Sequence, residues 1–198
     1  TAAYDAAIAA ELAGVGAAGG GYPRGPRELL APRLTLAASR LRALRYGENP
    51  HQPAAWYGLP HQPAPPSVLQ GKELSFTNLL DLDAAARIAA EFQEPAAVVI
   101  KHTNPCGVAT GPSLESAYIT ARDADALSAF GGIVGCNREI DEATAHAIAA
   151  TFIEAVIAPG ITRAALAVLA AKKNLRVVTA PALFEALASG APRLDVRG

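Results

Sequence analysis

The run Ala96-Ala-Val-Val-Ile100, held between Pro95 and Lys101-His102, constrains this chain more than any other stretch. Five consecutive apolar residues leave no polar face, so the segment predicts a strand buried on both sides. The sequence around it supplies the covering layers. Asn78-Leu-Leu-Asp81 predicts the cap of a helix with Ala85, Ile88, Ala89 and Phe92 at helical spacing, stopped by Pro95. Thr103-Asn-Pro-Cys-Gly107 predicts a turn, and Pro112-Ser113 opens a helix carrying Leu114, Ala117 and Tyr118. Gly131-Gly-Ile-Val-Gly135 predicts a second strand, and Asp141 caps a helix with Ala147, Ile148 and Phe152. Ala155-Val-Ile-Ala158 is a third strand, ended by Pro159-Gly160. Thr162 opens a helix over Ala165, Leu166, Leu169 and Ala170, closed by Lys172, Lys173 and Asn174 where the dipole favours cations. Arg176-Val-Val-Thr179 is a fourth strand. The alternation predicts an α/β fold, a layered sheet with flanking helices and sites at strand ends. No internal repeat interrupts it.

Ahead of this domain, Thr1–Leu12 is a good helix former. Gly14–Pro32 holds six of the 17 glycines plus Pro23, Pro26 and Pro32, the composition of a linker. The expected division is residues 1–13, 14–33 and 34–198. Although 51% of the chain is hydrophobic, 46 residues are alanine, so the large core formers are few and the strands must carry much of the core. The 17 Lys+Arg against 18 Asp+Glu give no broad electrostatic case for binding nucleic acid or an anionic membrane. No apolar run approaches the ~20 residues of a membrane span. The Ala-rich start lacks the basic region of a signal peptide. Two cysteines, Cys106 and Cys136, make neither a disulfide framework nor a four-cysteine zinc site. The expectation is a soluble, cytoplasmic protein.

Lys101-His102 follows the buried strand directly. A strand end is a rigid platform, histidine moves protons near neutrality, and an ammonium stabilises an oxyanion. Residue types alone leave the pair open between this role and two polar residues reaching water. Arg45-Tyr46-Gly47-Glu48-Asn49-Pro50-His51-Gln52 is dense in recognition groups. Arg45 suits a phosphate, Tyr46 a heterocycle, and Gly47 a close backbone approach, or the stretch is simply a polar loop. Asn78 is a candidate ligand whose default role is capping. Ser128-Ala-Phe-Gly-Gly132 brings amides and a ring against a flat ligand, or is a glycine turn with Phe130 in the core. Glu154, between Ile153 and Ala155, reads by itself as the outer face of a strand. Pro105-Cys106 suggests a zinc deaminase, but the second cysteine of that motif would fall at Ala109 and no His-x-Glu occurs.

Taken in order, Leu44-Arg-Tyr-Gly-Glu-Asn-Pro-His-Gln52, Gly71-Lys-Glu-Leu-Ser-Phe-Thr-Asn78, Val99-Ile-Lys-His-Thr-Asn-Pro-Cys-Gly107, Asp125-Ala-Leu-Ser-Ala-Phe-Gly-Gly132 and Phe152-Ile-Glu-Ala-Val-Ile-Ala-Pro-Gly160 closely resemble the bacterial bifunctional AICAR formyltransferase/IMP cyclohydrolases of purine biosynthesis. Thr1–Ile8 resembles the last helix of their cyclohydrolase domain. The resemblance implies formyl transfer from 10-formyltetrahydrofolate, as cosubstrate, to the 5-amino group of AICAR, giving FAICAR. It implies His102 as the proton-transfer residue with Lys101 assisting and helping to bind. Arg45, Tyr46, Gly47, Asn78, Gly131 and Glu154 match nucleotide-binding positions, and Phe130 and Ser128 lie near the folate. It further implies a cytidine-deaminase-like unit without zinc or another metal, small-molecule partners only, and a homodimer in the full-length protein. A formyltransferase domain in that family continues into a second half beyond Gly198, so residues 34–198 match its first half. The alternative is an incomplete, non-catalytic nucleotide-binding or dimerising module.

Overall fold

The computed structural model describes residues 4, 5, 8, 38–59 and 63–190. Tyr4, Asp5 and Ile8 are helical, while the expected linker over 14–33, the domain start at Leu34 and the tail from 191 lie outside the described residues. Two compact units divide the chain, Thr1–Ala43 with Ala55–Gln62, and Leu44–Ala54 with Pro63–Gly198. Strands β1 (Ser39–Leu44) and β2 (Ala54–Gly58) pair as a two-stranded sheet.

The second unit is built on a six-stranded mixed sheet. Its strands are β3 (Ser67–Gln70), β4 (Ala96–Lys101), β5 (Asn104–Thr110), β6 (Ile133–Cys136), β7 (Ala155–Ala158) and β8 (Arg176–Thr179), in the order β3-β8-β7-β6-β4-β5. The central β6, β7 and β8 run parallel, and β3, β4 and β5 pair antiparallel with their neighbours. Alternate residues of β4 feed opposite cores. Ala97 and Val99 pack with α2 (Leu114–Ala124), α4 (Glu142–Ala149) and α5 (Arg163–Leu169). Val98 and Ile100 pack with α1 (Phe76–Ala90) and α6 (Pro181–Ala188). The short helix α3 (Ala126–Ala129) sits on the first of these cores through Ala129. This is the expected layered sheet with flanking helices, its strand residues alternating between two helical layers.

Small residues let the layers close. A Cβ on Gly135 of β6 would lie 2.6 Å from the Ala85 carbonyl oxygen of α1. At Gly107 of β5 it would lie 1.9 Å from the Ala121 carbonyl oxygen of α2. The caps at Ser113, Asp141 and Thr162 form as the sequence predicts, each side chain accepting from the amide three residues on.

Three expectations change. Of the stretch Thr103–Gly107 only Thr103 is turn and Asn104–Gly107 is strand, because the chain reverses within His102-Thr103 and Asn104 already pairs with Lys101. Pro105 is tolerated because β5 is an edge strand. A register shift, Val99 opposite Gly107 but Ile100 opposite Pro105, leaves Cys106 as the bulged residue, half-buried, whereas Cys136 is fully buried. The first long helix is capped by Ser75, not Asn78. The helix after Asp141 ends at Ala149, short of Phe152, and the helix after Thr162 ends at Leu169.

Candidate active site

Register brings Lys101, His102, Gly131 and Glu154 to one side of the sheet, where β4 ends and β6 and β7 begin. Ile100 pairs with Ile133, Ile133 with Ala155, and Ala155 with Arg176. The C-terminal end of β4 therefore lies beside the N-terminal ends of β6, β7 and β8. β3 ends on the same side, since Gln70 pairs with Val177. Of the candidate residues, only Lys101 and His102 stand at the C-terminal end of a strand, β4. Because β4 runs against its parallel neighbours, the candidate residues beside β6 and β7, Gly131 and Glu154, precede their strands.

On that side β4 turns into β5 through His102 (φ 53°) and Thr103 (φ 61°). Two-residue hairpins favour turns with both central φ values positive, normally Asn-Gly. Histidine and β-branched threonine there cost on the order of 1–2 kcal/mol each. The neighbourhood offsets that strain. Thr103 Oγ1 and Asn104 Nδ2 donate to the His102 carbonyl at 2.7 and 2.8 Å, and the Thr103 amide donates to Asp81 Oδ1 of α1 at 2.7 Å. The His102 imidazole is exposed and hydrogen-bonds to no described residue.

Beside it, Lys101 Nζ donates to the Phe130 carbonyl at 3.1 Å. Phe130 is not in the core. The residue is 59% exposed, with its ring centroid 5.1 Å from that of Phe152. Gly131 follows at φ 74°, a conformation that favours glycine, and its amide donates to the Phe152 carbonyl at 2.8 Å. The Ser128 amide donates to Asp125 Oδ1 at 3.0 Å, and bonds to Ser128 hold the Asp125 carboxyl below the usual carboxylate range.

Asn78 has two tasks. Its Oδ1 accepts the Ser75 amide while its own amide donates to Ser75 Oγ, a reciprocal capping box. Its Nδ2 donates to Glu154 Oε1 at 2.9 Å, and the side chain is buried. Glu154 Oε1 also accepts from Arg176 Nη1 at 3.1 Å. Glu154 thus lies just before β7, at a strand end, not on an outer face. Reading the sequence missed Arg176. Its signal is a cation opening an apolar strand, in register with Ala155, the residue that follows the acid.

The Arg45-Tyr46-Gly47 stretch, in the second unit, closes on itself. Gly47 N–H donates to Gln52 O and Asn49 N–H to Gln52 Oε1, both at 2.8 Å. The Arg45 guanidinium lies 5.7 Å from the Tyr46 ring centre. Among the described residues, no hydrogen bond or ion pair joins this loop to Lys101, His102, Asn78 or Glu154. A cleft of about 420 Å³ lined by Ile148, Thr151, Phe152 and Leu175 holds none of the predicted residues. No group of three His, Cys, Asp or Glu able to hold a metal occurs among the described residues.

Comparison with known proteins adds an independent line. The family described as the AICARFT/IMPCHase bienzyme matches residues 1–193. The bifunctional purine biosynthesis protein PurH of Sorangium cellulosum (strain So ce56) is 52% identical over 94% of this chain and 37% of its own length. The protein of the same name from Myxococcus xanthus (strain DK1622) is 52% identical over all of this chain and 38% of its own length. Among solved structures, Acinetobacter baumannii RibD (form 2) aligns over 58% of this chain and 42% of its own, at 14% identity and a TM-score of 0.42. The chain spans a little over a third of the length of these curated relatives. On the family match over residues 1–193, the chain belongs to the AICARFT/IMPCHase bienzyme family.

Proposed function

We propose that residues 34–198 form the first half of a cytidine-deaminase-like AICAR formyltransferase domain, preceded by a linker over 14–33 and the last helix of a cyclohydrolase domain. In the full-length enzyme, one domain passes a formyl group to the 5-amino group of AICAR and the other closes the product to IMP. The enzyme works as a cytoplasmic homodimer on small molecules, without nucleic acid, membrane or metal partners. When bound, 10-formyltetrahydrofolate supplies the formyl carbon.

His102 takes the proton released as the AICAR amine bonds to that carbon, and returns it to the folate nitrogen as the C–N bond to the folate breaks from the tetrahedral adduct. An aromatic amine is a poor nucleophile, so removing its proton during attack is the help it most needs. Lys101, steadied by the Phe130 carbonyl, stabilises the negative charge developing on the formyl oxygen. Asn78, Glu154 and Gly131 hold the nucleotide base, while Arg45, Tyr46 and Gly47 take its phosphate and ribose. The exposed Phe130 ring, backed by Phe152 and flanked by Ser128, offers an apolar face to a fused heterocycle, which is why this side of the sheet fits a folate.

The observation supporting this reading is that Lys101 and His102 close β4 on the side of the sheet where Glu154, held by Asn78, precedes β7. In the full-length enzyme, His102→Ala lowers kcat for formyl transfer by about 10²–10⁴ with folding intact. Undiminished turnover removes His102 from the role.

A further inference from the structure

We propose that Asp81 is a positioning residue for His102, acting through the backbone of the strained turn rather than through the imidazole. The inference rests on the formyl-transfer reading above. Its basis is a chain of contacts that ends on the turn. Two consecutive non-glycine residues hold positive φ at the tip of the β4–β5 hairpin. Strain of this kind persists only where the surroundings over-determine it, and it gathers at functional sites.

Two of the three bonds that hold the turn come from the hairpin itself, through Thr103 Oγ1 and Asn104 Nδ2. They would travel with the turn if it relaxed. The third comes from outside, Asp81 Oδ1 accepting the Thr103 amide at 2.7 Å. An ionised acceptor makes it the strongest kind of bond available to a backbone amide. It is also the bond that ties the turn to a different element.

That element matters because α1 carries Asn78 three residues earlier, on the same helical face. Asn78 grips Glu154 at 2.9 Å, and Asp81 grips the hairpin. One rigid turn of helix therefore sets the distance between the candidate nucleotide-binding carboxylate and the candidate proton acceptor. Without the Asp81 bond, His102 and Thr103 can relax toward ordinary φ values, carrying the imidazole off its line. A displacement near 1 Å is enough to cost about a hundredfold in rate.

The test uses the full-length enzyme and formyl-transfer kinetics. Asp81→Ala lowers kcat about 10- to 100-fold, leaving the KM for AICAR within about threefold. Asp81→Asn, which keeps an acceptor at the same place, recovers most of kcat. The double variant Asp81→Ala, His102→Ala is no slower than His102→Ala alone, because Asp81 acts only through His102. If Asp81→Ala does not fold, Asp81→Glu serves instead, since it keeps the charge but moves the carboxylate off the amide. A wild-type kcat in either variant overturns the proposal, as does a double variant with fully multiplied losses. If His102→Ala itself turns over normally, the formyl-transfer reading fails instead, so the two failures are distinct.

Discussion

The two ends of β4 are built to opposite specifications. At its start, Asn137 accepts the Ala96 amide at 2.8 Å and donates to the Phe92 and Glu94 carbonyls at 2.9 and 2.8 Å. Every polar group of that buried side chain is spent on main chain. At its finish, Lys101 and His102 are exposed, the turn is strained, and the imidazole bonds to nothing described. The second buried asparagine, Asn78, belongs to this end, and it divides its bonds between a helix cap and the Glu154 carboxylate. Side chains that complete the backbone indicate structure, whereas side chains that meet other side chains beside unpaired polar groups indicate chemistry.

Mutation of the two asparagines breaks or sharpens this contrast. Asn137→Ala strands one amide and two carbonyls and lowers stability by about 3 kcal/mol in thermal or denaturant unfolding. Its folded fraction keeps its kcat. On the proposed function, loss of formyl transfer by the full-length enzyme beyond loss of fold would mean the two ends are coupled. Asn78→Ala is milder for the fold, about 1 kcal/mol, the value of a helix cap. On the proposed function it raises the KM of the full-length enzyme for AICAR about tenfold, and a KM at the wild-type level would leave Asn78 with its capping-box role alone.

A smaller effect separates the caps by pH. Asp141 caps α4 at the far end of the sheet, and its bonds to Thr144 hold its carboxyl below the ordinary value. The unfolded state binds that proton more readily, so the cap contributes fully above the ordinary aspartate range and is lost as pH falls through the folded value. Asp141→Ala therefore costs about 1 kcal/mol near neutrality and nothing in strong acid. Ser75, which caps α1 at the site end, is neutral, and the cost of Ser75→Ala is flat across the same acid range. Parallel pH curves for the two variants would contradict the assignment.

How much was readable beforehand follows from where the information sits. β7 and β8 match their predicted spans, and three caps match by residue, because apolar runs and capping side chains are local in sequence. β3 and β5 were missed. Ser67-Val-Leu-Gln70 is short and half-polar, and Asn104-Pro-Cys-Gly107 is made of turn residues that pair only because an edge strand accepts them. Glu154 read as a surface residue until its partners, 76 residues back at Asn78 and 22 ahead at Arg176, gave it a place.

From its residues alone the chain specifies a layered α/β fold, the run that must be buried on both faces, and Lys101-His102 at the end of that run. Tertiary structure decided that β4 runs against β6, and so which ends of four strands meet. Strand direction within a sheet depends on pairing between distant segments, where each contact is too weak to leave a mark in its own sequence. Arg176 acquires its partner by that pairing and Asp81 by the packing of α1 on the sheet, and neither by anything near it in the chain.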